Sequence, residues 1–287
     1  MSRMNIFDLL KENNSIEKDA KRLLALFNVY SYASLPMSVP LTLYQFVDEF
    51  CFNDWAGKGR CLDIRDFLET LGIGDINYFY PTDIDSLTKL IEIIYNFWFL
   101  ATNYLDHSDE LFKRYDTEET LKKQMDECLS EYNFKVFYIQ DEEKCIIIED
   151  VPQITAAAEV VDGETAIEII RYHHRQLAGD VPKKRSILKT LGAYLEGRKT
   201  DIQKIDNNLY NTITGALNNL NIRHNNVNPN NKGTYKKAVA EMLPEELESY
   251  YDEIYQLILF AILEMDNVSR LQDMKALIQR VNEKEIQ

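Results

Sequence analysis

The chain has 287 residues, 45% apolar and 28% charged, which suits a globular protein with one large core or two modest ones and excludes extended disorder. Its net charge of −15 argues against broad binding along a phosphate backbone, so extended duplex DNA is not an expected partner. The N-terminus, Met1-Ser2-Arg3-Met4-Asn5, lacks the charged-then-apolar layout of a signal peptide, and a cytoplasmic protein is expected.

Residues 1–130 read as helical. Asn14-Ser15 precedes a helix with Ile16, Ala20, Leu23, Leu24 and Phe27 at helical spacing. Pro36 and Pro40 break the chain, and residues 41–55 then predict one amphipathic helix. Asp63 starts another that Gly72 stops. Asp85-Ser86 is expected to cap the most apolar helix, residues 87–105, whose Ile91, Ile94, Tyr95, Trp98 and Phe99 cover an arc wide enough for a central position. Glu92, Asn96 and Asn103 interrupt the apolar run over 90–105, so no membrane span is expected. Thr117 opens a further helix ending near Tyr132. Cys51, Cys61, Cys128 and Cys145 show no CxxC spacing and read as reduced thiols; no metal or cofactor is expected.

Two strand-like runs follow, Phe134-Lys135-Val136-Phe137-Tyr138-Ile139 and Cys145-Ile146-Ile147-Ile148, separated by a charged turn, the pattern of a β-hairpin. Pro152, an Ala run and Asp162-Gly163 then mark a boundary. The expected fold is mainly α: a helical N-terminal half ending in one small β-hairpin (1–160), then a C-terminal antiparallel helical bundle (161–287). Bundle helices are expected at about 164–178, 184–196, 201–222, 244–266 and 268–283.

The charge is uneven. Between Arg171 and Lys204 there are nine Lys/Arg against three Asp/Glu, a local +6 that leaves −21 elsewhere. Such a patch suits a focused anion, RNA or a nucleotide, or else is an ordinary solvated face. Lys183, Lys184 and Arg185 sit at a helix start, where cations oppose the helix dipole. His173 and His174, between Arg171 and Arg175, end the preceding helix, with His174 and Arg175 as candidate substrate contacts. Asn221-Ile222-Arg223-His224-Asn225-Asn226 ends the long helix of the bundle. Two readings of this segment stand. Arg223 and His224 complement a helix C-terminus while Asn225 or Asn226 takes a left-handed conformation. Alternatively, His224 exchanges a proton and Arg223 stabilises phosphoryl charge during RNA cleavage by its own 2′-hydroxyl, with Asn221, Asn225 and Asn226 on the substrate. Adjacent residues on a helix diverge by about 100°, so the second reading calls for two chains meeting at this face.

A helical bundle with this Arg/His/Asn motif after a long helix resembles the HEPN superfamily, in particular the HEPN-like domains of bacterial abortive-infection and toxin proteins. The resemblance covers roughly residues 163–283. It implies a metal-independent ribonuclease whose site forms across a homodimer, with Arg223 and His224 catalytic. The family's motif separates its Arg and His by four to six residues; here they are adjacent. The alternative is a non-catalytic interaction or regulatory component of a bacterial phage-defence complex, with this motif structural.

Overall fold

The computed structural model describes residues 15–34, 39–108 and 112–284. Met1–Asn5, Asn14 and Pro36, on which parts of the sequence reading rest, lie outside the described residues. Helix dominates, and the chain divides into two compact bodies between Glu149 and Asp150.

In the N-terminal body, α1 (Ile16–Phe27) starts at Ser15, whose hydroxyl accepts the Lys18 N–H. The chain then forms a feature the sequence did not announce. Strands β1 (Tyr30–Ser34), β2 (Val39–Thr42) and β3 (Phe112–Arg114) make an antiparallel sheet in the order β2-β1-β3, with Ala33 opposite both Pro40 and Lys113. Strands of three to five residues are too short to establish a period, which is why this stretch reads as helical or irregular. The single helix expected over 41–55 is instead a succession of shorter turns. Thr42 closes β2 and opens α2 (Leu43–Phe46) through a reciprocal capping box with Gln45. A π turn, Val47–Cys51, and a 3-10 turn, Phe52–Asp54, follow. α3 (Ile64–Thr70) begins at Asp63, which accepts two backbone N–H groups, and ends before Gly72 at φ +70°.

The apolar helix is central, as its wide arc predicts. α4 (Ile84–His107) starts at Asp83, paired with Ser86 in a capping box, rather than at Asp85-Ser86. It packs against α1, α2, α5 (Thr117–Glu131) and the hairpin of β4 (Phe134–Ile139) and β5 (Lys144–Glu149). The hairpin is antiparallel from Phe134 opposite Glu149 to Ile139 opposite Lys144. Glu92 and Asn96, one turn apart on α4, are both buried. The Asn96 amide donates to the Cys145 carbonyl and accepts the Cys145 N–H, each at 2.8 Å, and the Glu92 carboxylate accepts the Ile147 N–H at 2.8 Å. Glu92 and Asn96, two of the three polar residues that interrupt this helix, therefore satisfy the free edge of β5. Cys51, Cys128 and Cys145 are buried, and burial pushes each thiol up to about 12.

The C-terminal body holds α6 (Pro152–Glu159), α7 (Gly163–Tyr172), α8 (Val181–Gly197), α9 (Lys199–Asn219), a short α10 (Lys237–Ala240) and α11 (Pro244–Lys284). The Ala run read as a boundary is helix α6: Pro152 stands in its first turn and Ala is the best helix former. α7 is shorter than expected and ends at His173. α9 bends at Asp206 (φ −144°, ψ 96°), where the Asp206 carboxylate caps the restarted helix on the Leu209 N–H at 2.8 Å. The helices expected at 244–266 and 268–283 are one 41-residue helix, since no Gly or Pro interrupts the stretch after Pro244. α11 packs against α6, α8 and α9 through Tyr251, Ile254, Ile258 and Ile262, all at most 3% exposed. Among the described residues, no helix is long and apolar enough to cross a membrane.

Candidate functional site

The three cations at the start of α8 point three ways, as consecutive residues on a helix must. Asp180 caps the helix on the Lys183 N–H, which offsets the unfavourable placement of positive charge there. The Lys183 side chain is exposed, with a loose contact to Asp180 at 3.3 Å. Lys184 turns inward and is 7% exposed. Its ammonium lies 2.8 Å from Glu248 and 2.6 Å from Asp252 of α11, above the Tyr172 ring. Tyr172 donates to the same Asp252 at 2.9 Å and stacks on Tyr255 with ring centroids 4.1 Å apart. Burial alone disfavours the Lys184 charge, but the two carboxylates outweigh it, so the ammonium is held above its ordinary value. The same contact holds the Glu248 carboxyl below the usual range, with a further contribution from the Gly179 N–H. Lys184 is thus an interior ion-pair partner and does not face an external anion.

Arg185 faces the segment after α9. Its guanidinium donates to the Ile222 carbonyl at 3.3 Å and the His224 carbonyl at 3.5 Å. Sequence-distant candidates thus converge here: Arg185, Arg223 and His224 belong to one structure. α9 stops at Asn219, three residues earlier than the periodicity suggested. Asn221, not Asn225 or Asn226, takes the left-handed conformation, at φ +59°. The freed carbonyls at the helix end are met by the Arg223 N–H on Leu217 at 3.0 Å and the Tyr251 hydroxyl on Leu220 at 3.0 Å.

Arg223 leaves this turn toward the interior, its side chain 14% exposed. One guanidinium nitrogen lies 2.8 Å from Glu196 Oε1, with Asn218 Oδ1 at 3.5 Å, and the other donates to the Gly192 carbonyl at 3.1 Å. Gly192 is required for this seat. A Cβ there would lie 2.7 Å from Leu217 Cδ1 and 3.3 Å from Arg223 Nη2. Gly192 and Glu196, four residues apart on α8, form the receptor for Arg223. Sequence reading missed both, because nothing local distinguishes Glu196 from the chain's many other carboxylates.

The asparagines hold one another. The Asn221 N–H donates to Asn226 Oδ1 at 2.8 Å and the Asn226 N–H to Asn221 Oδ1 at 3.2 Å. Asn226, 1% exposed, also donates to the Thr234 carbonyl at 2.6 Å, while its own carbonyl accepts the Lys236 N–H at 2.8 Å. Asn225 accepts the Asn228 N–H at 3.1 Å and Asn228 the Asn230 N–H at 3.0 Å. The density of amides therefore has a local cause: the segment between α9 and α10 lacks a regular ladder, and side chains supply its hydrogen bonds. His224 and Asn225 are exposed. His173 ends α7, His174 is buried at 7% exposure, and Arg175 opens the following 3-10 turn.

A cleft of about 560 Å³ lies in the N-terminal body, lined by Trp98, Thr102, Arg114, Glu118 and Lys122 among others. Burial raises the Glu118 carboxyl against the opposing charge of Arg114, and Thr102 donates to it at 3.1 Å. The three cations are matched: Arg114 lies 2.6 Å from Asp106, Lys122 lies 2.5 Å from Asp126, and Lys123 lies 3.8 Å from Glu127. The cleft carries little net field for a charged ligand. Among the described residues, no three His, Cys, Asp or Glu side chains are grouped to hold a metal ion. Comparison with protein-family models, characterised proteins and solved structures found no match to this chain.

Proposed function

We propose that the chain is a non-catalytic interaction or regulatory protein, a cytoplasmic component of a bacterial defence complex with a HEPN-like C-terminal body. The observation that carries this reading is the seat of Arg223. Its guanidinium is already engaged by Glu196 and the Gly192 carbonyl, and is turned away from solvent. A group that stabilises developing phosphoryl charge has to be free for it and directed at it. Arg185 is committed to the backbone beside His224, and Asn226 to the loop itself. These residues together build a well-tied helix end.

One observation favours the other reading, a metal-independent ribonuclease acting across a homodimer: His224 and Asn225 are exposed, with the exposed Lys183 on the facing helix α8. Incubating the full chain with a mixed-sequence RNA in EDTA, beside the His224→Ala protein, separates the two. The interaction reading expects no cleavage by either protein. Cleavage by the parent that His224→Ala abolishes would overturn it in favour of the ribonuclease.

A further inference from the structure

The last third of α11 has a surface that the rest of the C-terminal body leaves uncovered. From Tyr251 to Ile262 the helix buries one side chain per turn or more, but from Asn267 to Asn282 every side chain is exposed. Six of those sixteen are large and apolar: Val268, Leu271, Met274, Leu277, Ile278 and Val281, between 36% and 54% exposed. Leu271, Met274, Ile278 and Val281 follow the 3-4-3 spacing of a coiled-coil seam. An isolated helix of this length is marginal in water, and most helical stability comes from burying such a face.

We propose that this strip, residues 268–281, receives one amphipathic helix of a partner protein, with an apolar heptad seam flanked by acidic side chains. This names the partner class for the interaction reading and rests on it. Charge decides the occupant. With Leu271 and Ile278 at the first seam position and Met274 and Val281 at the second, the flanking positions hold Val268, Arg270, Lys275, Leu277 and Asn282. The only charged flanks are cations. Arg270 pairs with the half-buried Asp266 on its own helix, but its guanidinium stays largely in solvent, where such a pair is weak enough to be exchanged for an intermolecular one. Asp273 and Arg280 lie off the seam. A second copy of this chain fits poorly. In parallel pairing Arg270 meets Lys275 of the other copy, and in antiparallel pairing about the centre of the strip the two Lys275 residues meet. Glu or Asp at the partner's flanking positions turns these repulsions into attractions. The strip is short, so affinity is roughly micromolar.

The test uses the full chain and a labelled synthetic peptide of three heptads, with Leu at both seam positions and Glu at both flanks, followed by fluorescence anisotropy. Light scattering at tens of micromolar reports the chain's own oligomeric state. The expected results are a monomer and binding about tenfold tighter than to the same peptide with Lys flanks. The preference should reverse in Arg270→Glu with Lys275→Glu. Leu271→Asp with Ile278→Asp should abolish binding without changing the circular dichroism, since both side chains are exposed. Equal binding of the two peptides, binding retained by the Asp variant, or a parent dimer that the Asp variant dissociates would each overturn the proposal. RNA cleavage lost in His224→Ala would instead count against the interaction reading, so the two failures are distinguishable.

Discussion

Replacing Arg223 by alanine tests the central structural claim about the Arg/His motif. Three losses follow. The ion pair with Glu196, whose carboxylate is 53% exposed, contributes about 0.5–1 kcal/mol after solvent screening. The charge-assisted bond to the Gly192 carbonyl contributes about 1.5 kcal/mol. The packed stem of the side chain adds about 0.5–1 kcal/mol. The total is about 2.5–3.5 kcal/mol, well above the roughly ±0.5 kcal/mol of an ordinary surface substitution. Arg223→Lys should recover part of this, since one ammonium reaches Glu196 or the carbonyl but does not span both as the guanidinium fork does. Urea denaturation followed by circular dichroism gives the difference. Trp55 and Trp98, the chain's two tryptophans, both lie in the N-terminal body. Their fluorescence therefore monitors the body that does not contain Arg223. An Arg223→Ala protein within 0.5 kcal/mol of the parent would refute the structural account and return the guanidinium to the list of groups available for a ligand.

The remaining predictions concern the two buried polar networks. Asn96→Leu keeps the branching of the side chain but strands the N–H and carbonyl of Cys145, so it should cost about 2–4 kcal/mol by tryptophan-monitored unfolding; a change under 1 kcal/mol would mean that the hairpin edge finds other partners. In the Lys184 network the Glu248 carboxyl is held below its ordinary 4.5, so the stability it contributes is complete above that value and is lost as pH falls through the lower folded one. The urea midpoint of the parent should therefore drop between about pH 5 and about pH 3 more steeply than that of Glu248→Gln. Parallel acid limbs in the two proteins would exclude Glu248 as a cause.

Much of the architecture was legible where a long or repeated pattern carried it. The hairpin announced itself through two apolar runs around a charged turn, and α4 through the breadth of its apolar arc. Ser15, Asp63 and Gly72 marked helix ends by their own chemistry. The β1–β3 sheet was not legible, because its strands are held by register with a segment some eighty residues away rather than by any period of their own. At the candidate site, the helix end and the cations could be read, but not their directions. Lys184 and Lys183 differ by one position, and only the packing of α8 on α11 decides which of them meets Glu248 and Asp252. An asparagine's amide is equally suited to a ligand or to a loop; Asn226 declares its use only once Thr234 and Lys236 have folded back beside it.

The hydrogen bonds from Glu92 and Asn96 to β5 have a mechanical meaning as well. Apolar contact between a helix and a strand is indifferent to small displacements along the helix axis. Here a displacement of one turn, about 5.4 Å, would bring either Thr88 or Leu100 into the place of a residue that Cys145 or Ile147 depends on. Leu100 offers neither the donor nor the acceptor that Asn96 supplies, and the Thr88 hydroxyl already donates to the Ile84 carbonyl of its own helix. The two residues thus act as a key in a slot, fixing the hairpin against axial creep along α4. They also occupy the edge onto which a foreign strand would otherwise add. A pair that spoils the apolar stripe of the central helix makes its seating single-valued.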